Sequence, residues 1–258
     1  MIWPKTKFYV RIVYNVLTKE VKMNTILFDL DGTLLPMDTK KFENIYFQEL
    51  CLHFKDIIPK DKLINYVWQS TAAMVNNSGL KTNEEVFYES FGNYVGGNIQ
   101  SFIDEFNTFY DTSFLKVRES VNDVAAIQES VRILKEKGYN LVVATNPLFP
   151  EKAIFQRIRW AGFNVTEFSY VSTFEKNHYC KPQLNYYKEI LKDIGRTPEE
   201  CLMVGNDVQE DLVAGKLGIK TFLIKDNILH RTDDEILCDY MGSYADFLSF
   251  INTLPDIN

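Results

Sequence analysis

A short apolar run followed at once by two aspartates constrains this chain more than any other feature. Residues 25–28 are Thr-Ile-Leu-Phe and predict a strand buried on both faces, as in a parallel sheet. Asp29 and Asp31 follow, and residues two apart point to the same side of an extended chain. Carboxylates are seldom fully buried unless they are paired or bound to a metal. The pattern therefore indicates a functional site, with a solvated acidic turn as the alternative.

Strands and helices alternate in the C-terminal half of the chain. The apolar runs predict strands at residues 141–144, 170–172, 201–204 and 220–224. Helical periodicity predicts helices over residues 124–137, 151–160, 183–194, 211–217 and 244–254. Strands separated by helices of this length predict an α/β fold, Rossmann-like, whose parallel sheet is flanked by helices.

Residues 37–119 lack this alternation. Their apolar spacing predicts only helices, at residues 41–54, 61–75, 83–91 and 99–115, with loops at 76–79 and 92–98. We therefore predict three parts: an N-terminal extension at residues 1–22, a core formed by 23–36 and 120–258, and a helical domain at 37–119.

Polar side chains follow several of the predicted strands. In an open parallel sheet, ligands bind beyond the carboxyl ends of the strands, so these side chains are candidate site residues. Besides Asp29 and Asp31 they are Thr145, Asn146, Asn206 and Asp207, with Asp211 one helical turn further on and Lys181 at the start of the helix between the third and fourth strands.

These residues carry a family resemblance. The segment at residues 29–33, Asp-Leu-Asp-Gly-Thr, resembles the Asp-x-Asp-Gly-Thr signature of the haloacid dehalogenase (HAD) superfamily. Thr145, Lys181 and the Gly-Asn-Asp-x-x-x-Asp pattern at residues 205–211 resemble the other three motifs of that family and come in the same order. The resemblance spans residues 24–223 apart from the helical domain, which would correspond to a C1-type cap.

The resemblance implies how the first two acids act. Asp29 would be the nucleophile, since an ionised carboxylate can attack phosphorus without a base and form an aspartyl phosphate. Asp31 would be the general acid and base, protonating the leaving oxygen and later accepting a proton from water. The implied reaction is phosphoryl transfer to water.

The resemblance also implies a metal. Asp29, Asp207 and the backbone carbonyl of Asp31 would hold Mg²⁺, a hard cation that prefers oxygen ligands. The repulsion expected at neutral pH between Asp29 and the two acids Asp207 and Asp211 is a further reason to expect a cation among them.

The remaining residues would bind the phosphoryl group or support those that do. Thr145, Asn146 and Lys181 would bind the substrate, and Thr145 and Lys181 would spread the charge of the transition state. Asp211 would orient a bound water or Lys181, and Asn206 would support the phosphate neighbourhood or turn the chain. Taken alone, Thr145 could be a helix N-cap and Lys181 a surface charge, and Asp207 and Asp211 could cap the helix that follows them.

The composition of the chain argues against some classes of binding partner. The net charge of −7 and pI of about 5.1 argue against binding to nucleic acid or to an anionic membrane surface. Four scattered cysteines are typical of reduced thiols in a cytoplasmic protein, and no apolar run approaches the roughly 18 residues of a membrane-spanning helix. Residues 1–22 are basic without the features of a signal peptide; they are either upstream sequence with no role in the fold or an amphipathic segment.

The function that we predict is a Mg²⁺-dependent phosphatase acting on a small phosphorylated metabolite. A phosphomutase of the same fold is the alternative within the family, and a non-catalytic binding protein is the alternative from another class. A dehalogenase is disfavoured because dehalogenases of the family lack the second aspartate, here Asp31. The loop predicted at residues 92–98 is the candidate for substrate selection, with an ordinary helix connection as the other interpretation.

Overall fold

The computed structural model describes residues 23–123 and 125–257, so the predicted extension at 1–22 lies outside the described residues. Within these described ranges, six parallel strands form one sheet in the order β3-β2-β1-β4-β5-β6. The strands are β1 (Thr25–Phe28), β2 (Asn140–Val143), β3 (Tyr170–Val171), β4 (Cys201–Gly205), β5 (Lys220–Ile224) and β6 (Tyr240–Gly242). The predicted α/β class with a parallel sheet flanked by helices is confirmed.

Eight α-helices accompany the strands in the described part of the chain. They are α1 (Thr39–His53), α2 (Lys60–Val75), α3 (Asn83–Val95), α4 (Ile99–Asp111), α5 (Ala125–Glu136), α6 (Glu151–Trp160), α7 (Leu184–Ile194) and α8 (Tyr244–Thr253). The longer 3₁₀ segments are Ser113–Ser120 and Leu212–Leu217. The second of these replaces the α-helix that the sequence predicted at residues 211–217.

The start predicted for the loop at residues 92–98 is wrong. Helix α3 continues through Gly92 and ends only at Val95, where Gly96 takes a φ of +66° that residues with a side chain rarely adopt. The predicted helix at 99–115 is also shorter, because α4 ends at Asp111 and a 3₁₀ segment follows.

Strand β1 lies at the centre of the molecule and is buried on both faces. Ile26 and Phe28 point into the larger core, which contains residues of α5 and α8, whereas Leu27 points into a second core with residues of α7. All three side chains are fully buried. Burying a side chain of this size contributes about 1.5–3 kcal/mol, so the strand that carries Asp29 is firmly fixed.

The chain leaves the core before α1 and returns to it after the 3₁₀ segment that follows α4, and these two connections lie side by side. Met37 forms an isolated antiparallel bridge with Val121, and the Asp38 N–H donates to the Ser120 carbonyl at 3.0 Å. These paired connections lie close to the predicted boundaries at residues 37 and 119. We call residues 37–119 the helical insert.

The helical insert is also fastened to the core at the start of α3. Asn83 is fully buried, and its N–H donates to the Asn177 carbonyl at 2.9 Å. Its side-chain amide lies 3.4 Å from both the Tyr179 carbonyl and the Cys180 Sγ, and its Oδ1 accepts from Asn77 at 2.9 Å. The insert is therefore tied to the loop that leads directly to Lys181.

Two further expectations concern the cysteines and the absence of a membrane-spanning helix. All four cysteines are free thiols. Within residues 23–123 and 125–257, none of the helices combines the length and the apolar character needed to cross a membrane.

The joint at Asn83 can be tested by Asn83→Ala. This change leaves buried partners on both sides without a hydrogen bond, so we expect the free energy of unfolding to fall by about 1–3 kcal/mol. Urea denaturation measures the loss. The control is Asn93→Ala on the exposed face of the same helix, which should stay within about 0.5 kcal/mol of wild type. Equal losses in the two variants would show that Asn83 does not fasten the insert.

Candidate active site

A buried lysine holds two aspartates at the carboxyl end of the sheet. Lys181 Nζ lies 2.9 Å from Asp29 Oδ1 and 2.6 Å from Asp211 Oδ1, and its side chain has no exposed surface. Asp29 directly follows β1, and its N–H donates to the Val204 carbonyl of β4 at 2.9 Å. Three of the predicted site residues are thus brought into one ion-pair network.

Burial and charge compete in this network. Burial raises the pKa of Asp29 and of Asp211, and the Lys181 charge lowers both in turn. Burial on its own would lower the pKa of Lys181, but the charges of Asp211 and Asp29 outweigh it and raise that pKa well above its ordinary value. Lys181 is therefore a fixed positive charge at neutral pH.

Asp31 has a partner that the sequence analysis did not identify. Its Oδ2 forms an ion pair with Arg157 Nη1 of α6, a side chain that is 1% exposed. The Arg157 guanidinium also lies over the Phe149 ring, 4.5 Å from the ring centroid, and its Nε donates to the Ala153 carbonyl at 3.2 Å. Burial raises the pKa of Asp31, and the charges of Arg157 and Lys181 act against that rise.

Asp207 caps the turn that follows β4. Its Oδ1 accepts from the backbone N–H groups of Gln209 and Glu210, each at 3.0 Å, and its Oδ2 lies 2.6 Å from Arg231 Nη2. Its own N–H donates to Asp211 Oδ2 at 2.9 Å. This last bond joins the predicted metal ligand to the network around Lys181.

Thr145 and Asn146 lie in the loop after β2, as predicted. The Thr145 carbonyl accepts from Ser172 Oγ at 2.6 Å and from the Tyr186 hydroxyl at 2.7 Å, which fixes the backbone of this loop. Asn146 Oδ1 accepts from the Lys181 N–H at 3.2 Å, and its Nδ2 donates to Glu210 at 3.0 Å.

The Asn206 side chain supports the turn after β1. Its Oδ1 accepts from Thr33 Oγ1 at 3.0 Å, and its Nδ2 donates to the Asn227 carbonyl at 2.7 Å. A side chain at Gly32, whose φ is +86°, would collide with the Asn206 amide. The glycine of the first motif is therefore needed both for its backbone angle and for this close approach.

Three charged residues of the site escaped the sequence analysis: Arg157, Glu210 and Arg231. Arg157 had a detectable signal, since it occupies the same face of α6 as the buried residues Ala153, Ile154 and Ile158. A charge on an apolar helix face calls for a partner. Glu210 lies within the fourth motif, where burial raises its pKa to about 7. Arg231, in the loop between β5 and β6, gives no local signal.

The basic side chains change one expectation about the metal. Repulsion among the acids was expected to require a cation, yet Lys181, Arg157 and Arg231 already form ion pairs within the cluster. These ion pairs offset part of the repulsion that was expected to call for a cation. The five acids Asp29, Asp31, Asp207, Glu210 and Asp211 still outnumber the three basic side chains of the cluster.

The donor atoms suit such a cation. Lys181 binds one carboxylate oxygen of Asp29, and no backbone hydrogen bond among the described residues ends on the Asp31 carbonyl. No group of three or more His, Cys, Asp or Glu side chains in the described ranges is arranged to hold a metal. The expected set uses only two side chains and one carbonyl, so this absence does not contradict it.

The chain is similar to known proteins over most of its length. The family described as haloacid dehalogenase-like hydrolase matches residues 26–224. The pyrophosphatase PpaX of Bacillus cereus (strain AH820) is 22% identical over 238 residues, covering 90% of this chain and 99% of PpaX.

Solved structures share the fold. A HAD phosphatase from Thermococcus onnurineus has a TM-score of 0.60 and 17% identity, covering 91% of this chain and all of that one. A 2-haloacid dehalogenase from Pseudomonas syringae pv. Tomato DC3000 has a TM-score of 0.55 and 16% identity, covering 89% of this chain and 98% of that one. At these identities the likeness shows the fold alone.

The fold and the site define a hydrolase with a parallel α/β core and an acid at the end of its first strand. The match over residues 26–224 shows that the chain belongs to the haloacid dehalogenase-like hydrolase family.

The network around Lys181 makes a prediction about stability. Lys181→Met removes one partner of a buried pair, so we expect the free energy of unfolding to fall by about 3–5 kcal/mol at pH 8. Burial then raises the pKa of Asp29 and Asp211 without opposition from the lysine. A carboxyl whose folded pKa exceeds its unfolded pKa stabilises the fold at low pH and loses that contribution as the pH rises. The deficit should therefore shrink at pH 5.

Urea denaturation of wild type and variant at the two pH values measures this difference. Lys188→Met on the exposed face of α7 is the matched control and should remain close to wild type at both pH values. A deficit at Lys181 that does not change between pH 5 and pH 8 would mean that the two acids are not left uncompensated.

Proposed function

We propose that this protein is a Mg²⁺-dependent phosphatase that hydrolyses a small phosphorylated metabolite through an aspartyl-phosphate intermediate. The observation that carries the proposal is the pair of acids after β1, with Asp29 bound to buried Lys181 and Asp31 bound to Arg157. The two acids lie at one strand end but in different surroundings, which suits different roles.

Asp29 is the nucleophile in the first step. One of its carboxylate oxygens attacks phosphorus, and the bond between phosphorus and the leaving oxygen breaks. Asp31 donates its proton to that oxygen, so that a neutral alcohol departs. Asp29 becomes the aspartyl phosphate.

Water completes the reaction in the second step. Asp31, now ionised, accepts a proton from a water molecule as the water oxygen attacks phosphorus. The bond between phosphorus and Asp29 breaks, which releases phosphate and restores the carboxylate. Arg157 holds the Asp31 side chain in one position for both proton transfers.

The remaining residues bind and position the phosphoryl group. Lys181 places its charge beside Asp29, and Asp211 holds the ammonium there at 2.6 Å. Asn146 bonds the backbone of Lys181, and we propose that it and Thr145 face the phosphoryl oxygens. Asp29, Asp207 and the Asp31 carbonyl would hold Mg²⁺, which when bound supplies positive charge to those oxygens.

The second acid favours a phosphatase over a dehalogenase. A halide leaves without a proton, whereas an alkoxide needs one, so the acid role of Asp31 has a use only when the leaving atom is oxygen. We also propose that the helical insert, residues 37–119, acts as the cap over this site. Its fixed joint at Asn83 places it against the loop that carries Lys181.

The experiment that tests the proposal is phosphate release from p-nitrophenyl phosphate by wild type and Asp29→Asn. The amide keeps the shape of the side chain but is a poor nucleophile. We expect turnover to fall by about 10²-fold or more, with the fold retained by circular dichroism. Comparable rates in the two proteins would remove Asp29 from the mechanism.

The same assay tests the metal. Chelation by EDTA should abolish wild-type turnover, and added Mg²⁺ should restore it. Full activity in EDTA would contradict the metal, though not the nucleophile.

Asp31→Asn tests the general acid. The variant keeps the backbone carbonyl proposed to bind Mg²⁺ but cannot transfer protons. We expect single-turnover rates on an alkyl phosphate to fall by about 10²–10⁴-fold. The loss should be smaller for p-nitrophenyl phosphate, because nitrophenolate leaves without protonation. The same fractional loss for both substrates would show that Asp31 is not the acid of the first step.

A further inference from the structure

An aromatic cavity opens beside Asp31. Its volume is about 220 Å³, and its walls come from all four helices of the insert, the loop after β2 and the residues after β3. Ten of its seventeen lining residues are aromatic, among them Phe42, Trp68, Phe87 and Phe149.

The cavity carries little charge. Among the described residues that line it, Asp31 and Glu43 are the only charged ones, and both are acids. The Tyr46 and Tyr110 hydroxyls lie 3.2 Å apart and hydrogen-bond each other, so these polar atoms are satisfied within the wall. A second anionic group on a substrate would find no cation in this wall.

Arg157 does not supply that cation. Its charge is paired with Asp31, and its guanidinium lies over Phe149 at 4.5 Å and over Phe42 at 5.8 Å. These two rings line the cavity, whereas the arginine does not. The cavity is therefore lined at this place by aromatic carbon and not by the guanidinium.

The position of Asp31 relates this cavity to the reaction. A general acid must lie beside the leaving oxygen that it protonates. Asp31 is also the one proposed catalytic side chain that lines the cavity in the described structure. A leaving group attached to that oxygen therefore has the aromatic cavity next to it.

We infer that the leaving group of the substrate is an uncharged, apolar alcohol or phenol whose carbon skeleton occupies this cavity. The inference rests on the proposed phosphatase activity and names its substrate class: phosphate monoesters of alkyl or aryl alcohols. A cavity of about 150 Å³ with apolar walls admits benzene, so this one holds a ring or a short alkyl chain. Pyrophosphate and carboxylate-bearing phosphates are disfavoured, because their leaving groups are anionic.

The first test compares kcat/KM among three substrates whose leaving groups are primary alcohols (hexyl phosphate, glucose 6-phosphate and phosphoglycolate) and pyrophosphate, whose leaving group is phosphate. The kcat/KM for hexyl phosphate should exceed the values for glucose 6-phosphate, phosphoglycolate and pyrophosphate by about tenfold or more. From methyl to hexyl phosphate, each buried methylene should raise kcat/KM by about threefold to fourfold until the cavity is full. Equal or higher values for glucose 6-phosphate, phosphoglycolate or pyrophosphate would overturn the inference.

Substitutions in α2 test whether the aromatic cavity is the place where the leaving group binds. Thr71 lines the cavity, and Thr71→Phe should fill it and lower the ratio of hexyl to methyl phosphate by about tenfold. Gln69→Phe adds the same bulk to an exposed position of α2 and should keep the wild-type ratio. Thr71→Arg places a cation in the wall and should shift preference towards phosphoglycolate. An unchanged ratio in Thr71→Phe would show that the skeleton lies elsewhere.

A binding measurement separates this inference from the proposed function. Trp68 lines the cavity with 52% of its surface exposed, so its fluorescence should change saturably when hexylphosphonate binds. Phosphonoacetate should bind at least tenfold more weakly. Equal affinities overturn the inference even if p-nitrophenyl phosphate is hydrolysed. Preferred binding of hexylphosphonate with no hydrolysis of any ester supports the apolar cavity and contradicts the phosphatase.

Discussion

The ion pairs of Lys181 with Asp29 and Asp211 are the interaction on which the site depends. A fully buried ammonium group loses several kcal/mol of hydration and persists only where opposite charges are held close to it. Those charges are held by the backbone of two strand ends, since Asp29 bonds to β4 and Asp211 accepts from the Asp207 N–H. The Lys181 backbone is held in turn by Asn146, and the loop before it is bonded to Asn83. One buried charge therefore couples the sheet, its loops and the helical insert.

The three basic side chains of the cluster differ in how firmly they are held. Lys181 and Arg157 are buried, and removing either would leave an uncompensated acid. Arg231 is 54% exposed, although the Asp207 side chain with which it pairs is only 7% exposed. A cation that bound to Asp207 would therefore displace Arg231 into water at a lower cost than it would displace Lys181, whose side chain has no exposed surface. This difference matches the proposed division, in which Lys181 is a permanent part of the site and Asp207 receives the metal.

Local patterns predicted what depends on neighbouring residues, and missed what depends on distant ones. The bounds of α6 and β5 match the predicted ranges because apolar periodicity is a property of consecutive residues. Strand β6 was missed because it has three residues, two of them exposed, after a polar loop. The eight predicted site residues include both partners of Lys181, since they lie in motifs at strand ends. The partnership of Arg157 with Asp31 joins residues 126 apart, and no local pattern encodes that pairing.

Asp31 lies where two different environments meet. On one side are the acids and bases of the cluster, which suit a phosphoryl group and a divalent cation. On the other is a wall of aromatic rings with no basic residue among those described as lining it. Arg157 separates the two, because its charge faces Asp31 while its flat surface packs on Phe149. A phosphate ester has the same division, with a charged end and an organic end joined at one oxygen. The proposed acid lies at the boundary where that oxygen would be.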